Sequence, residues 1–351
     1  MRTRVLIYTP TYSRSKGLQY RLRMLTKTLQ ENGYDVALYK DEQENVLRTL
    51  YTYTARYLLQ VRRTWTYLGN SIGNKVLKSK PRPDMVFLTT DVCSGAVKVI
   101  KSYGIKVVLL LEDLSVDWMN IHGFARRKIL DNLTHFALEA DVIITPSESF
   151  SKRINEELGL HSIPIPPGLE LQITEDDTKK RMHAYKSEKT RILHARQLVT
   201  EQEAKLLSII ARRLNGFAEI YALKAGRYHS KVEKRDNVIW YHYQSVDEAI
   251  KYLKHCHIGL IATSRNAPTF TSQWFYFSLL QPVITITNNY VDDTVWIPLE
   301  EFLNNPHRLL NEISSLMAAY DWNIERLMRV IKSKYIRHKA HEPLVKILSK
   351  L

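Results

Sequence analysis

Acidic residues directly follow apolar segments at two places in the first half of the chain. VVLLL runs into Glu112 and Asp113, and VFLTT is followed by Asp91. A carboxylate beside apolar walls has a raised pKa and can accept a proton near neutral pH, which makes all three candidate general bases. Each could instead cap a helix. We favour Asp113, because VVLLL would hold it rigidly while its neighbour Glu112 points to the other side of an extended chain.

Cations and hydroxyls follow apolar segments in the second half. Arg196 comes after the segment RILHA, and Lys224 comes after YAL. A guanidinium can bind phosphate oxygens bidentately, so Arg196 is a candidate ligand for a phosphate group. Thr271 and Ser272 could hold a phosphate or a sugar at a helix N-terminus, or could simply cap that helix. No Ser-His-Asp pattern and no metal-ligand spacing occurs among the histidines, so we expect no metal.

The elements that must position these residues alternate along the chain. Apolar segments at 5–8, 36–39, 85–89, 107–111 and 142–145 predict strands, with helical patterns around 19–32, 51–68, 94–103 and 125–139 between them. The Pro-rich stretch 162–168 predicts a linker. The alternation then resumes with strands at 191–194, 219–223, 238–241, 259–262 and 283–287, and the last 50 or so residues are helical. Such an order predicts two parallel α/β sheets, with ligands beyond the carboxyl ends of their strands.

The composition points to an anionic partner. The 351 residues exceed what one core usually spans, and the formal charge is +15. Such a charge favours a nucleic acid, a phosphorylated small molecule or an acidic membrane. No zinc-finger, leucine-zipper or RNP-like pattern is present, so we expect no nucleic acid. With two distant cysteines, no leader-like start and no long apolar run, the sequence predicts a cytoplasmic protein.

Several stretches of the first half, taken in order, resemble GT-B glycosyltransferases of the group 1 type. Lys16 and Gly17 stand where that family has paired glycines, and Gly33 follows Gly17 at the family's spacing. ADVIITPS resembles the family's strand that ends in Pro-Ser, and IPPGLEL resembles its interdomain linker, with Gly168 retained.

The second half carries the resemblance further. Arg196 matches the arginine of the family's Gly-Arg motif, whereas Gln202 falls near the position of its lysine. QPVITI resembles the Gly-x-Pro-Val turn, with Leu280 where glycine is usual, and the stretch around Trp322 resembles the C-terminal helix that crosses back. One departure concerns the family's glutamate pair, whose positions hold Ala267 and Phe275. That departure weakens an assignment to the retaining members that use the pair.

The resemblance implies an α/β fold of two Rossmann-like doubly wound domains facing across a cleft, with C-terminal helices crossing back. Residues 1–165 would form the acceptor-side domain, 166–320 the nucleotide-sugar-binding domain, and 321–351 helices that pack toward the first domain. The resemblance also implies a metal-independent glycosyltransferase with a nucleotide-sugar donor, such as a UDP- or GDP-sugar, and a glycan or lipid-linked acceptor. The alternatives are a catalytically diverged scaffold, a nucleic-acid-binding protein, or a sugar-nucleotide epimerase on the same fold.

Under this resemblance the candidate residues fall into three sets. The catalytic candidates are Asp113, Asp91 and Glu112. The donor-binding candidates are Arg196, Lys224, Gly226, Tyr243, Ser264, Thr271 and Ser272. The residues of the cleft loop are Ser15, Lys16 and Gly17.

A helix-like basic and aromatic stretch follows the second predicted strand. It runs from Tyr51 to Lys80 and interleaves aromatic residues with cations such as Arg62 and Arg63. This mixture suits the interface of an anionic bilayer, but it also suits a buried amphipathic helix with a solvated basic face. Because members of the GT-B fold acting on lipid-linked acceptors place such a segment in the first domain, we expect peripheral association with the inner face of the membrane.

Overall fold

The chain divides into two compact units. The computed structural model describes residues 2–9, 16–40, 62–89, 91–112, 114–118, 123–171, 174–184, 189–196, 198, 200–224, 228–242, 250, 253–264 and 270–351. The first unit spans residues 1–168 and 337–351, and the second spans 169–336. We predicted boundaries at 165/166 and at 320/321.

The first unit is built on a six-stranded parallel sheet. Its strands are β1 (Arg4–Thr9), β2 (Asp35–Lys40), β3 (Met85–Thr89), β4 (Lys106–Leu110), β5 (Val142–Thr145) and β6 (Ile163–Pro164). Their order in the sheet is β2-β1-β3-β4-β5-β6. Five of these agree with the predicted strands to within one residue at each end. The short β6 lies inside the stretch that its prolines led us to predict as a linker.

Helices connect these strands. They are α1 (Lys16–Glu31), α2 (Arg62–Leu77), a 3-10 turn (Asp91–Ala96), α3 (Val97–Lys101), α4 (Ser115–Trp118), α5 (Gly123–Ala137) and α6 (Glu148–Leu158). The helical pattern that we placed at 51–68 corresponds to a described helix that continues to Leu77, and residues 51–61 lie outside the described part of the chain.

One face of the first sheet packs against α1 and the last helix of the chain, α13 (Arg337–Leu348). Alternate residues of the strands, such as Val108 and Leu110, point to this face and are buried with Leu344 and Leu348 of α13. The returning helix is therefore part of the first unit's core. The resemblance implied this return.

Polar contacts fix α13 where it joins the first unit. The Nδ1 atom of His341 lies 2.7 Å from the hydroxyl of Thr28, and Arg337 forms an ion pair of 2.6 Å with Glu31. Gly168 adopts a left-handed φ of 77° beside them, and a Cβ there would lie 3.1 Å from the Cα of Arg337 and the ring of His341. Glycine is required there for both reasons.

The second unit contains another six-stranded parallel sheet. Its strands are β7 (Thr190–His194), β8 (Ala218–Leu223), β9 (Val238–Tyr241), β10 (Ile258–Ala262), β11 (Val283–Thr287) and β12 (Val295–Pro298). Their order in the sheet is β12-β11-β10-β7-β8-β9. The edge strand β12 was not predicted, because its four residues include a tryptophan and a proline and merge with the following helical pattern.

The helices of the second unit pack around this sheet. They are α7 (Glu175–Ala184), α8 (Glu201–Leu214), a 3-10 turn (His229–Lys231), α9 (Phe270–Ser278), α10 (Leu299–Asn304), α11 (His307–Ala318), α12 (Tyr320–Val330) and a π-helix (Ile331–Tyr335). The hydroxyl of Tyr320 donates to the carbonyl of His257 at 3.1 Å, and the ring of Tyr335 packs against Phe277 at 5.5 Å. These contacts keep residues 320–336 with the second unit, so only the residues from Arg337 onward belong to the first unit.

The charged helix α7 contains a buried cation. Arg181 of this helix is 4% exposed. The guanidinium of Arg181 donates to the carbonyls of Leu279 and Leu280, at 2.8 Å each, just after the end of α9. A buried cation at the last carbonyls of a helix satisfies groups that have no partner within the helix.

Within the residues that the structure describes, no three His, Cys, Asp or Glu side chains form a group that could hold a metal ion. In the same residues, no helix combines the length and the apolar character needed to span a membrane.

Candidate functional site

Polar side chains gather at the carboxyl edge of the second sheet. Strand β7 ends at His194 and is followed by Arg196, while the neighbouring β10 ends at Ala262 and is followed by Thr263 and Ser264. Helix α8 begins at the same edge. Because the strands are parallel and adjacent, residues far apart in the sequence meet here.

Glu203 lies at the centre of this edge, with its side chain 1% exposed. Its Oε2 atom accepts a hydrogen bond of 3.2 Å from the backbone N–H of Thr200, and Thr200 caps α8 in return. Its Oε1 atom accepts a hydrogen bond of 2.8 Å from the hydroxyl of Thr263 and lies 4.0 Å from the guanidinium of Arg196. Two elements therefore fix this carboxylate beside the arginine.

His194 lies beneath the same edge and is fully buried. Burial, together with the smaller effect of the positive charge of Arg196, lowers the pKa of His194 to about 4. The ring is therefore neutral at neutral pH, and Arg196 is the cation of this pair.

A second set of hydrogen bonds ties the adjacent residues together. The hydroxyl of Ser264 donates to the side-chain oxygen of Gln202 at 3.4 Å, and the side-chain amide of Asn288 donates to the carbonyl of Ser264 at 3.3 Å. Gln202 falls where the resembling family has a lysine, and here it supplies a neutral contact. Asn288, which follows β11, was not among our candidates.

Tyr276 supports this edge from below. Its hydroxyl accepts a hydrogen bond of 2.8 Å from the backbone N–H of Ala195 and donates one of 2.9 Å to the carbonyl of Leu260. The ring covers Gly259, where a Cβ would lie 2.5 Å from the ring atoms. Tyr276 thereby holds the residue that precedes Arg196 against β10.

The carboxyl edge of the first sheet contains an ion pair that the sequence did not predict. Glu112, a candidate base, follows β4 and pairs with Arg21 of α1, whose side chain is 4% exposed. Burial raises the pKa of Glu112, and the charge of Arg21 opposes this rise. Since Glu112 already accepts from a buried guanidinium, it is less suited to take a substrate proton than we predicted.

A larger ion-pair network lies in the same unit. The carboxylate of Asp117 is fully buried and accepts from Arg126 at 2.7 Å and from Arg153 at 2.8 Å. Both arginines also contact Glu157 at 2.6 Å. This network joins α4, α5 and α6. In the sequence its only local sign is the pairing of Arg153 with Glu157 four residues later.

The other predicted residues are placed as follows. Asp91 opens the 3-10 turn after β3, Lys16 and Gly17 open α1, and Thr271 and Ser272 lie in the first turn of α9; the side-chain positions of these five residues are not described. Lys224 is exposed, and its backbone N–H donates to the carbonyl of Tyr241 at 2.8 Å. Asp113, Gly226, Tyr243 and Ser15 lie outside the described residues.

Comparison with known proteins shows the fold of this chain. No protein-family model matches the sequence, and no curated protein matches it. Among solved structures, the trehalose 6-phosphate synthase of Burkholderia multivorans is similar, with a TM-score of 0.68, 8% identity, and coverage of 100% of this chain and 99% of that one. A glycosyltransferase from Rickettsia africae gives a TM-score of 0.63 and 10% identity over 99% and 98%.

HepE of Anabaena, solved in complex with UDP and glucose, gives a TM-score of 0.60 and 10% identity over 99% of this chain and 100% of that one. These matches extend over both units and confirm the expected α/β architecture with two parallel sheets. The chain has the fold of GT-B glycosyltransferases.

Proposed function

We propose that this protein is a glycosyltransferase that moves a sugar from a nucleotide sugar to a glycan or lipid-linked acceptor. The observation that carries the proposal is the polar edge of the second sheet, where Arg196, Thr263 and Ser264 lie together on a GT-B fold. The cation and the hydroxyl of Ser264 at the carboxyl ends of parallel strands suit a sugar diphosphate, while the buried hydroxyl of Thr263 donates to Glu203.

Several structures with the same fold support this class of donor. HepE is described in complexes with UDP and glucose and with UDP-glucose, and an Escherichia coli protein of the trehalose-6-phosphate group with UDP-2-fluoro glucose. We propose a UDP- or GDP-sugar as the donor of this chain as well.

Glycosyl transfer requires stabilisation of the negative charge that develops on the leaving diphosphate. We propose that Arg196 supplies this stabilisation directly, together with Lys224 and the residues at the start of α9, and that no metal is needed. The buried neighbours of Arg196 keep its guanidinium at the edge of the sheet, where its side chain remains 13% exposed.

An inverting reaction also requires a base for the acceptor hydroxyl. We propose Asp113, with Asp91 as the second candidate, since both follow adjacent strands of the first sheet. Glu112 is the weaker candidate because of its ion pair with Arg21.

We propose that the first unit also contacts an anionic membrane through residues 51–80. A second surface of the first unit supports a membrane contact: Phe124, in the first turn of α5, is 72% exposed, and the Lys128 ammonium lies 5.3 Å from the centre of its ring. Arg127 beside them is exposed too. An exposed aromatic ring among cations suits the headgroup region of an anionic bilayer.

The test of the proposed function is a thermal-shift screen against UDP-, GDP-, ADP- and dTDP-sugars, because a ligand that binds only the native state raises the Tm. The variant Arg196→Ala should bind the selected donor about tenfold more weakly or worse, since a hydrogen bond to a charged group contributes about 1.5–3 kcal/mol. Arg191→Ala is the matched control, because Arg191 lies at the opposite end of β7 and pairs with Glu219.

Binding of none of the four donors would contradict the proposal. If the protein instead bound DNA or RNA in a salt-sensitive manner, it would be a scaffold on this fold. Interconversion of a nucleotide sugar without transfer would identify an epimerase.

A further inference from the structure

Glu203 is an acid at the place where the proposed function requires a cation. Its carboxylate is buried at the carboxyl edge of the second sheet, 4.0 Å from Arg196, the proposed diphosphate ligand. A negative charge there repels an anionic ligand, so an uncompensated acid would weaken the site. Its presence requires a physical reason.

Capping of α8 does not supply that reason. The capping box uses only Oε2 of Glu203, which accepts from the backbone N–H of Thr200. Glutamine completes such a box as well as glutamate does. The second oxygen, Oε1, accepts from Thr263 on another strand and faces the guanidinium. The charge of Glu203 is therefore directed at Arg196.

We propose that Glu203 is a positioning residue of the nucleoside-diphosphate site, and that its carboxylate orients the guanidinium of Arg196 toward the phosphates. This proposal rests on the proposed function. An arginine side chain has several rotatable bonds, and bidentate binding of phosphate requires one orientation of its planar group. Thr263 and Thr200 fix the carboxylate, and the carboxylate then restricts the guanidinium, so less side-chain freedom is lost when the diphosphate binds.

Replacement of Glu203 has two opposing effects on binding. Loss of the negative charge removes repulsion and strengthens anion binding, whereas loss of orientation weakens it. Only the loss of orientation acts on the ligand through Arg196. A double-mutant cycle separates the two effects, because a change that acts through Arg196 disappears when Arg196 is absent.

The experiment measures the affinity for UDP by calorimetry in four proteins: the wild type, Glu203→Gln, Arg196→Ala and the double variant. Glu203→Gln should bind UDP more weakly than the wild type. In the Arg196→Ala background the same substitution should leave the affinity unchanged or increase it. The coupling should amount to about threefold or more, as for other residues in contact.

Glu201→Gln is the matched control. It removes one negative charge from the same turn of α8, but Glu201 is exposed and pairs with Lys205 at 3.0 Å. Thr263→Val should reproduce part of the weakening, because it frees the carboxylate from β10. A general loss of fold would appear as a lowered Tm and would weaken binding in both backgrounds alike.

The outcomes distinguish the two proposals. If the wild type binds UDP and Arg196→Ala weakens that binding, but Glu203→Gln has the same effect in both backgrounds or none, the positioning role is overturned and the proposed function stands. If the wild type binds neither UDP nor another nucleoside diphosphate, both are overturned.

Discussion

Three buried histidines should make the protein unstable in mild acid. His194 and His257 lie in the second unit, where burial lowers the pKa of each from 6.5 to about 4. His341 lies in the first unit, and burial lowers its pKa to about 3. In the unfolded chain each takes up a proton near its ordinary pKa, but in the native state it stays neutral. The contribution of the neutral rings to the free energy of unfolding is therefore complete above about pH 6.5, and it is lost as the pH falls toward 4.

The size of the loss follows from these pKa values. At pH 5 each histidine lowers the free energy of unfolding by about 2 kcal/mol relative to pH 7.5. The second unit, with His194 and His257, should lose about 4 kcal/mol and the first about 2 kcal/mol. In the first unit the raised pKa of Glu112 works in the opposite direction and reduces the loss. The lowered pKa of Asp177, about 2, acts only below its ordinary value of 3.8 and does not contribute in this range.

The assay is urea unfolding at several values between about pH 7.5 and pH 5, with hydrogen exchange followed separately in each unit. The second unit should lose protection first, with a slope near pH 5 of about 1 kcal/mol per pH unit for each histidine. His161→Gln, at an exposed position, is the control and should leave the slope unchanged. A free energy of unfolding that stays constant over this range would refute the reasoning, as would earlier unfolding of the first unit.

Three further predictions concern the candidate sites. Tyr276→Phe should lower the free energy of unfolding by about 1–3 kcal/mol in chemical denaturation, because it removes the partner of the buried carbonyl of Leu260 and of the half-buried N–H of Ala195, and it should also weaken UDP binding. Asp113→Asn should reduce turnover by about 10²–10⁴-fold with donor affinity retained; if turnover is unaffected, Asp91→Asn measured in parallel tests the second candidate base. Replacing Arg62 and Arg63 together by Glu should weaken flotation with anionic vesicles, since each cation near the surface contributes about 1 kcal/mol, and equal flotation of variant and parent would reject the membrane contact.

The sequence predicted the sheets well because their strands are buried on both faces. Short continuous apolar segments such as 107–111 and 142–145 indicate buried strands of a parallel sheet. Prediction was weaker where an element is short or at an edge: β6 has two residues, and β12 contains Trp296 and Pro298. Such strands are recognised by their pairing with a neighbour, and the pairing partner is remote in the sequence.

The candidate site was predicted in part. The position of Arg196 after a strand was enough to place it at the carboxyl edge. Glu203 was not predicted, because a glutamate three residues after Thr200 is fully explained as part of a capping box. Its contact with Thr263 joins residues that lie 60 positions apart in the sequence. The pair of Arg21 with Glu112 was missed for the same reason, since local patterns carry no information about partners in distant elements.

The turn after α9 contains a leucine in a backbone conformation that favours glycine. Leu280 stands where the resembling family has glycine, and its φ is 49°, in the left-handed region that glycine favours. That conformation costs a leucine about 1–2 kcal/mol. The side chain is 2% exposed, and its burial contributes about 1.5–3 kcal/mol, which offsets the cost. Arg181 adds hydrogen bonds to the carbonyls of Leu279 and Leu280. Packing and a buried cation thus hold the turn with a leucine in the left-handed region.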